Sequence, residues 1–114
     1  MMPYINTTTN IKITKEQELN IKSRYAKAVS IIGKSERYLM LGFNQDCSMY
    51  FSGKGDEPIA FVEVKFFGTS TAEKLNSLTA EICQIISDEL NIDQSKIYVK
   101  YEETRYWGWN GCNF

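Results

Sequence analysis

The chain has 114 residues, 13 Lys+Arg against 14 Asp+Glu, and no histidine. That length suits a single domain spanning residues 1–114, built on one core. A balance of −1 leaves no global basic field for nucleic acid. The missing imidazole removes the commonest general base, the commonest metal ligand and every triad built on it.

The first expected element is a short, Thr-rich strand over Tyr4 to Thr9. A helix follows from about Lys15 to Ile32. Thr14 is its expected N-cap, with Gln17 completing a capping box, and Ile21, Tyr25, Val29 and Ile32 form one apolar face. Gly33 stands where a left-handed terminating residue belongs. Tyr38 to Phe43 reads as a second strand, and Ser52 to Asp56 as a turn. Ile59 to Phe67 alternates well, with Ala60, Val62, Val64 and Phe66 on one face and Glu63 and Lys65 on the other. A second helix is expected from about Ala72 to Leu90, capped by Ser70 with Glu73 and stopped at Asn91. Ile97 to Glu102 forms the last expected strand.

The order strand, helix, strand therefore occurs twice. Each helix passes through a short polar link into a strand carrying a tyrosine, Tyr38 or Tyr98. Two such crossover units share one sheet with both helices on one face. The expected class is α+β, a β-α-β-β-α-β subunit with a mixed four-stranded sheet.

Cys47, Cys83 and Cys112 are odd in number and widely spaced, which suggests neither a metal site nor a redox pair. Unpaired thiols favour a reducing compartment such as the cytoplasm. Met1 to Asn10 lacks a basic region followed by an apolar run, so no signal peptide is expected. No apolar stretch reaches the ~18–20 residues of a membrane-spanning helix, so no membrane insertion is expected.

Without histidine, another base is needed. Met2-Pro3 opens the first strand. With both methionines removed, Pro3 carries a free secondary amine, and a free α-amino group has a pKa of ~8 against ~10.4 for lysine. Burial and a nearby cation lower it further, giving a neutral base near pH 7. Retained in an amide, the same nitrogen has no basic lone pair. The C-terminal run Trp107-Gly108-Trp109-Asn110-Gly111-Cys112-Asn113-Phe114 is dense in aromatics and glycine. By itself it suits core packing or a partner patch.

Taken in order, these pieces are similar to the macrophage migration inhibitory factor family of the tautomerase superfamily. The similarity covers nearly the whole chain. It runs through Met2-Pro3, Thr8-Thr9-Asn10, Gly33-Lys34 with Tyr38, and Met49-Tyr50-Phe51-Ser52-Gly53. It continues through Glu57-Pro58, Phe67-Gly68, Lys96-Ile97-Tyr98-Val99 and the tail from Trp107 to Phe114.

The resemblance implies a homotrimer with active sites at subunit interfaces. It also implies cofactor-free keto–enol tautomerisation of phenylpyruvate-like and dopachrome-like compounds. Pro3 matches the catalytic proline and Lys34 the lysine that binds the carboxylate of a small aromatic 2-oxo acid. Tyr98 matches a tyrosine supplied by the neighbouring subunit. Phe67 stands at a pocket position that is usually aliphatic, Lys100 at an interface asparagine, and Trp107, Trp109 and Phe114 at the wall and rim. The redox Cys-x-x-Cys of vertebrate members falls on Ile59-Ala60-Phe61-Val62, so no thiol–disulfide activity is expected. A second implied role is that of a cytokine-like signal, released without a signal peptide to engage a cell-surface receptor.

Overall fold

A computed structural model describes residues 3–114. Met1 and Met2, on whose removal a free Pro3 amine depends, lie outside the described residues. Strand β1 (Tyr4–Thr9) leads into helix α1 (Lys15–Ala28), then β2 (Met40–Asn44), β3 (Ala60–Phe67), helix α2 (Ala72–Leu90) and β4 (Ile97–Thr104). The strands form one sheet in the order β2-β1-β3-β4. The outer pairs β1–β2 and β3–β4 are parallel and the central pair β1–β3 is antiparallel. This is the expected mixed sheet, and both helices cover one of its faces.

Alternation along the strands sets that face. Ile5, Thr7 and Thr9 of β1 and Ala60, Val62, Val64 and Phe66 of β3 are buried. They meet Ile21, Tyr25, Leu78, Ile82, Ile85 and Ile86 from the helices. Two threonines inside this core need partners, because an unsatisfied buried hydroxyl is costly. Thr7 Oγ1 shares a 2.7 Å hydrogen bond with the Tyr25 hydroxyl, and Thr9 Oγ1 donates to the Ile59 carbonyl, also across 2.7 Å.

The element ends differ from expectation in four places. The first helix keeps α geometry only to Ala28. Val29–Ile32 tightens into a 3-10 turn before left-handed Gly33, a frequent way for a helix to close. The link after Gly33 also coils, so Tyr38 lies in a 3-10 turn (Glu36–Tyr38) and the strand starts at Met40. The second helix is capped by Thr71, whose hydroxyl accepts from the Lys74 amide, and not by Ser70. Ser70 instead donates its backbone N–H to Glu103 across 2.7 Å. The C-terminal tail, for which no secondary structure was expected, folds into a hairpin of β5 (Gly108–Trp109) and β6 (Cys112–Asn113). Asn110 and Gly111 between them both have positive φ, as a tight hairpin turn requires.

The opposite face of the sheet is polar. Glu63 faces Lys100 and Lys65 faces Glu102 across the β3–β4 ladder. Phe61 faces Tyr98 one step along the same row of positions. No described helix is long and apolar enough to cross a membrane.

Candidate functional site

Pro3 is buried where the chain enters β1, and its carbonyl accepts from the Met40 amide at 3.0 Å. Tyr4 pairs with Lys65, so Pro3, one residue earlier, comes abreast of Phe66 near the C-terminal end of β3. Lys34 reaches the same end. It follows Gly33, whose left-handed backbone (φ 75°) turns the chain out of the first helix. Its Nζ donates to the Phe67 carbonyl at 3.2 Å and lies 5.6 Å from the centre of the Phe66 ring. Partial burial pushes the Lys34 pKa below the ordinary lysine value. A cation held against an aromatic ring and a carbonyl is suited to receive a carboxylate.

Aromatic rings enclose this end of the sheet. Phe67 packs on Phe114 with ring centres 5.4 Å apart, and Phe114 packs on Trp109 at 6.2 Å. Tyr38 meets Trp109 edge-on at 5.7 Å. The C-terminal hairpin carries Trp109, and the bond from the Phe114 amide to the Trp107 carbonyl (3.1 Å) folds Phe114 back beside it. Trp107 is half-buried and contributes to this wall through its backbone. Trp109 and Phe114 are each about half exposed, leaving apolar ring surface available to an aryl group.

The structure thus gathers Lys34, Phe67, Trp109 and Phe114 near the position of Pro3. Tyr98 and Lys100 lie elsewhere. Tyr98 stands at the other end of β3, opposite Phe61 and 5.4 Å from the ring of Phe51. Lys100 is exposed on the polar face, with Nζ 3.4 Å from Glu102. At roughly 3.3 Å per residue, the six steps from Phe61 to Phe67 put Tyr98 about 20 Å from the Lys34 end, and the four steps from Glu63, opposite Lys100, put Lys100 about 13 Å from it. A cleft of about 440 Å³ between α1 and the β2 edge is lined by Glu18, Lys22, Glu36, Leu39, Leu41 and Phe43, none of which is an expected site residue.

Tyr38 and Phe66 join the site without having been singled out for it. Tyr38 had a legible signal, since it follows Gly33-Lys34 at short range. Phe66 had none, because its position on the apolar side of β3 assigns it to the core, where its ring also lies.

Residues 2–114 match the family model described as macrophage migration inhibitory factor. The chain is 24% identical to macrophage migration inhibitory factor of Xenopus laevis, over 99% of each chain. It is 26% identical to the homolog from Trichuris trichiura, over 99% of this chain and 100% of that one. Among solved structures, it resembles Leishmania major MIF2 with a TM-score of 0.93 and 30% identity, over 99% of this chain and 97% of that one. The macrophage migration inhibitory factor-like protein of Entamoeba histolytica gives a TM-score of 0.88 at 25% identity, over the full length of both.

Proposed function

The chain belongs to the macrophage migration inhibitory factor family, and on that premise we propose that it is a cofactor-independent keto–enol tautomerase. Its substrates are phenylpyruvate-like or dopachrome-like compounds. The general base is the nitrogen of Pro3, once Met1 and Met2 have been removed. The observation that carries this reading is the convergence of buried Pro3, the Lys34 ammonium and the Phe67–Phe114–Trp109 wall at one end of the sheet.

The chemistry is redox-neutral. The Pro3 nitrogen takes a proton from the carbon beside the keto group, and the electron pair of that C–H bond moves toward the carbonyl oxygen. The enolate oxygen then takes a proton from solvent while the Pro3 ammonium releases its own to solvent; in the reverse direction the enol O–H gives its proton to solvent and Pro3 delivers one to carbon. Lys34 binds the carboxylate and fixes the carbon to be deprotonated close to the base. Burial of Pro3 and the nearby cation both favour the neutral amine that acts as base. The aromatic wall holds the aryl group and excludes water.

The site in one chain lacks Tyr98 and Lys100. A trimer supplies both from a neighbouring subunit, and the separation of Tyr98 from Lys34 by about 20 Å along β3 supports such a shared site. The single domain of residues 1–114, less the removed Met1 and Met2, forms each subunit. An enol–keto absorbance assay tests the activity, using protein with Pro3 verified by mass as the first residue. Activity well above a Pro3→Gly variant supports the reading, and equal rates overturn it.

The shared name of the relatives supports a second reading, a cytokine-like signal engaging a cell-surface receptor. It predicts receptor binding that survives Pro3→Gly.

A further inference from the structure

Tyr98 is 58% exposed, yet its ring is held on two sides. Phe51 meets it edge-on at 5.4 Å and 63°, and Phe61 meets it at 6.4 Å and 83°. Its hydroxyl has no hydrogen-bond partner among the described residues. The ring is therefore fixed while its polar end stays unengaged.

Phe51 is itself anchored. It opens a two-residue turn closed by reciprocal backbone bonds with Lys54 at 2.8 and 3.0 Å, with Ser52 and Gly53 both at positive φ. The Lys96 ammonium lies 5.2 Å from the centre of the Phe51 ring. Lys96 is ion-paired with Glu57 at 3.0 Å. The Glu57 carbonyl accepts from the Asn10 side chain at 2.8 Å, and Asn10 Oδ1 accepts from the Ile59 amide at 2.9 Å. A line of contacts thus runs from the start of β3 through Glu57, Lys96 and Phe51 to Tyr98. These contacts fix the Tyr98 ring within its own chain and leave its hydroxyl end open.

We propose that Phe51, anchored by Lys96, is a positioning residue that sets the Tyr98 ring so that its hydroxyl meets substrate in a neighbouring subunit's pocket. This rests on the tautomerase reading above. Phe51 touches no substrate and acts only through Tyr98. Phe51→Tyr keeps the edge-to-face contact and Phe51→Leu removes it. Lys96→Met removes the cation while keeping most of the aliphatic stem.

The test is a double-mutant cycle on Pro3-terminal protein, read by kcat/KM and by aromatic NMR of the Tyr98 ring. Phe51→Leu is expected to lower kcat/KM about five- to tenfold, and Phe51→Tyr to restore it. In a Tyr98→Phe background, Phe51→Leu is expected to cause no further loss. The Tyr98 ring signals are expected to shift toward free-tyrosine positions in Phe51→Leu and part of the way in Lys96→Met. An undiminished Phe51→Leu effect in the Tyr98→Phe background overturns this proposal and leaves the tautomerase reading intact. Unmoved Tyr98 signals in Phe51→Leu do the same. Absence of activity in the Pro3-terminal parent overturns the tautomerase reading and, with it, the positioning role of Phe51.

Discussion

Lys34 and Tyr98 are tied to opposite ends of the same strand. The Lys34 ammonium bonds the carbonyl of Phe67 at the C-terminal end of β3, and Tyr98 lies beside Phe61 near its start. A small substrate cannot span the intervening distance of about 20 Å. If both residues serve one substrate, they come from different subunits.

That separation predicts complementation. Lys34→Met and Tyr98→Phe are each expected to be impaired alone. Refolding equal amounts together should place intact Lys34 from one subunit beside intact Tyr98 from the next in about a quarter of the sites. Activity of the mixture above the mean of the two variants is the expected result. Activity at that mean places both residues in one chain's site.

Lys34 has its own signature. Losing a charge-assisted contact to the substrate carboxylate typically costs ~1.5–3 kcal/mol, so Lys34→Met should lower kcat/KM about ten- to hundredfold. Burial lowers the Lys34 pKa, so its cation is lost at a lower pH than that of a free lysine. The alkaline limb of kcat/KM should therefore begin below the ordinary lysine range and be absent in Lys34→Arg. A pH–rate profile of both proteins checks this.

Tyr25 predicts an alkaline weakness. Burial pushes its hydroxyl pKa well above the usual tyrosine value, while the unfolded chain ionises near pH ~10. The stability this difference provides is complete below pH ~10 and is lost as the pH rises toward the folded-state pKa. Tyr25→Phe removes the titration but leaves the Thr7 hydroxyl buried without its 2.7 Å partner. Denaturant unfolding should show Tyr25→Phe about 1–2 kcal/mol less stable at pH 7, with a shallower decline above pH 10.

The start of α2 separates two neighbouring residues. Thr71 accepts from the Lys74 amide, so Thr71→Ala should cost ~1 kcal/mol by thermal or denaturant unfolding. Ser70 caps nothing through its side chain, and Ser70→Ala should fall within about ±0.5 kcal/mol.

That same pair shows what the sequence could and could not convey. Ser70 with Glu73 fits a capping box in sequence, yet the helix begins one residue later on Thr71, and the Ser70 amide bonds Glu103 of β4 instead. Val62, Val64, Leu78 and Ile82 were legible as core because their spacing repeats with the period of the strand or helix. Asn91 and Gly33 were legible as helix ends, and both take left-handed backbone. Tyr38 carries no periodic signal, and its coil into a 3-10 turn reflects how tightly the chain must return from Gly33 to β2. The site was legible only through the ordered resemblance from Pro3 to Phe114. No local pattern relates Lys34 to Phe67 or Trp109 to Phe114, because those contacts are made by the sheet and by the C-terminal hairpin.

The proposed chemistry turns on one nitrogen. Tautomerase rates should be compared between protein beginning at Pro3, verified by intact mass, and the same protein with Met2 retained. A free secondary amine is a base near neutral pH, whereas an amide nitrogen is not. Turnover of a phenylpyruvate-like substrate is expected from the Pro3-terminal protein, with only background rates when Met2 is retained. Equal rates for the two forms would rule out Pro3 as the base.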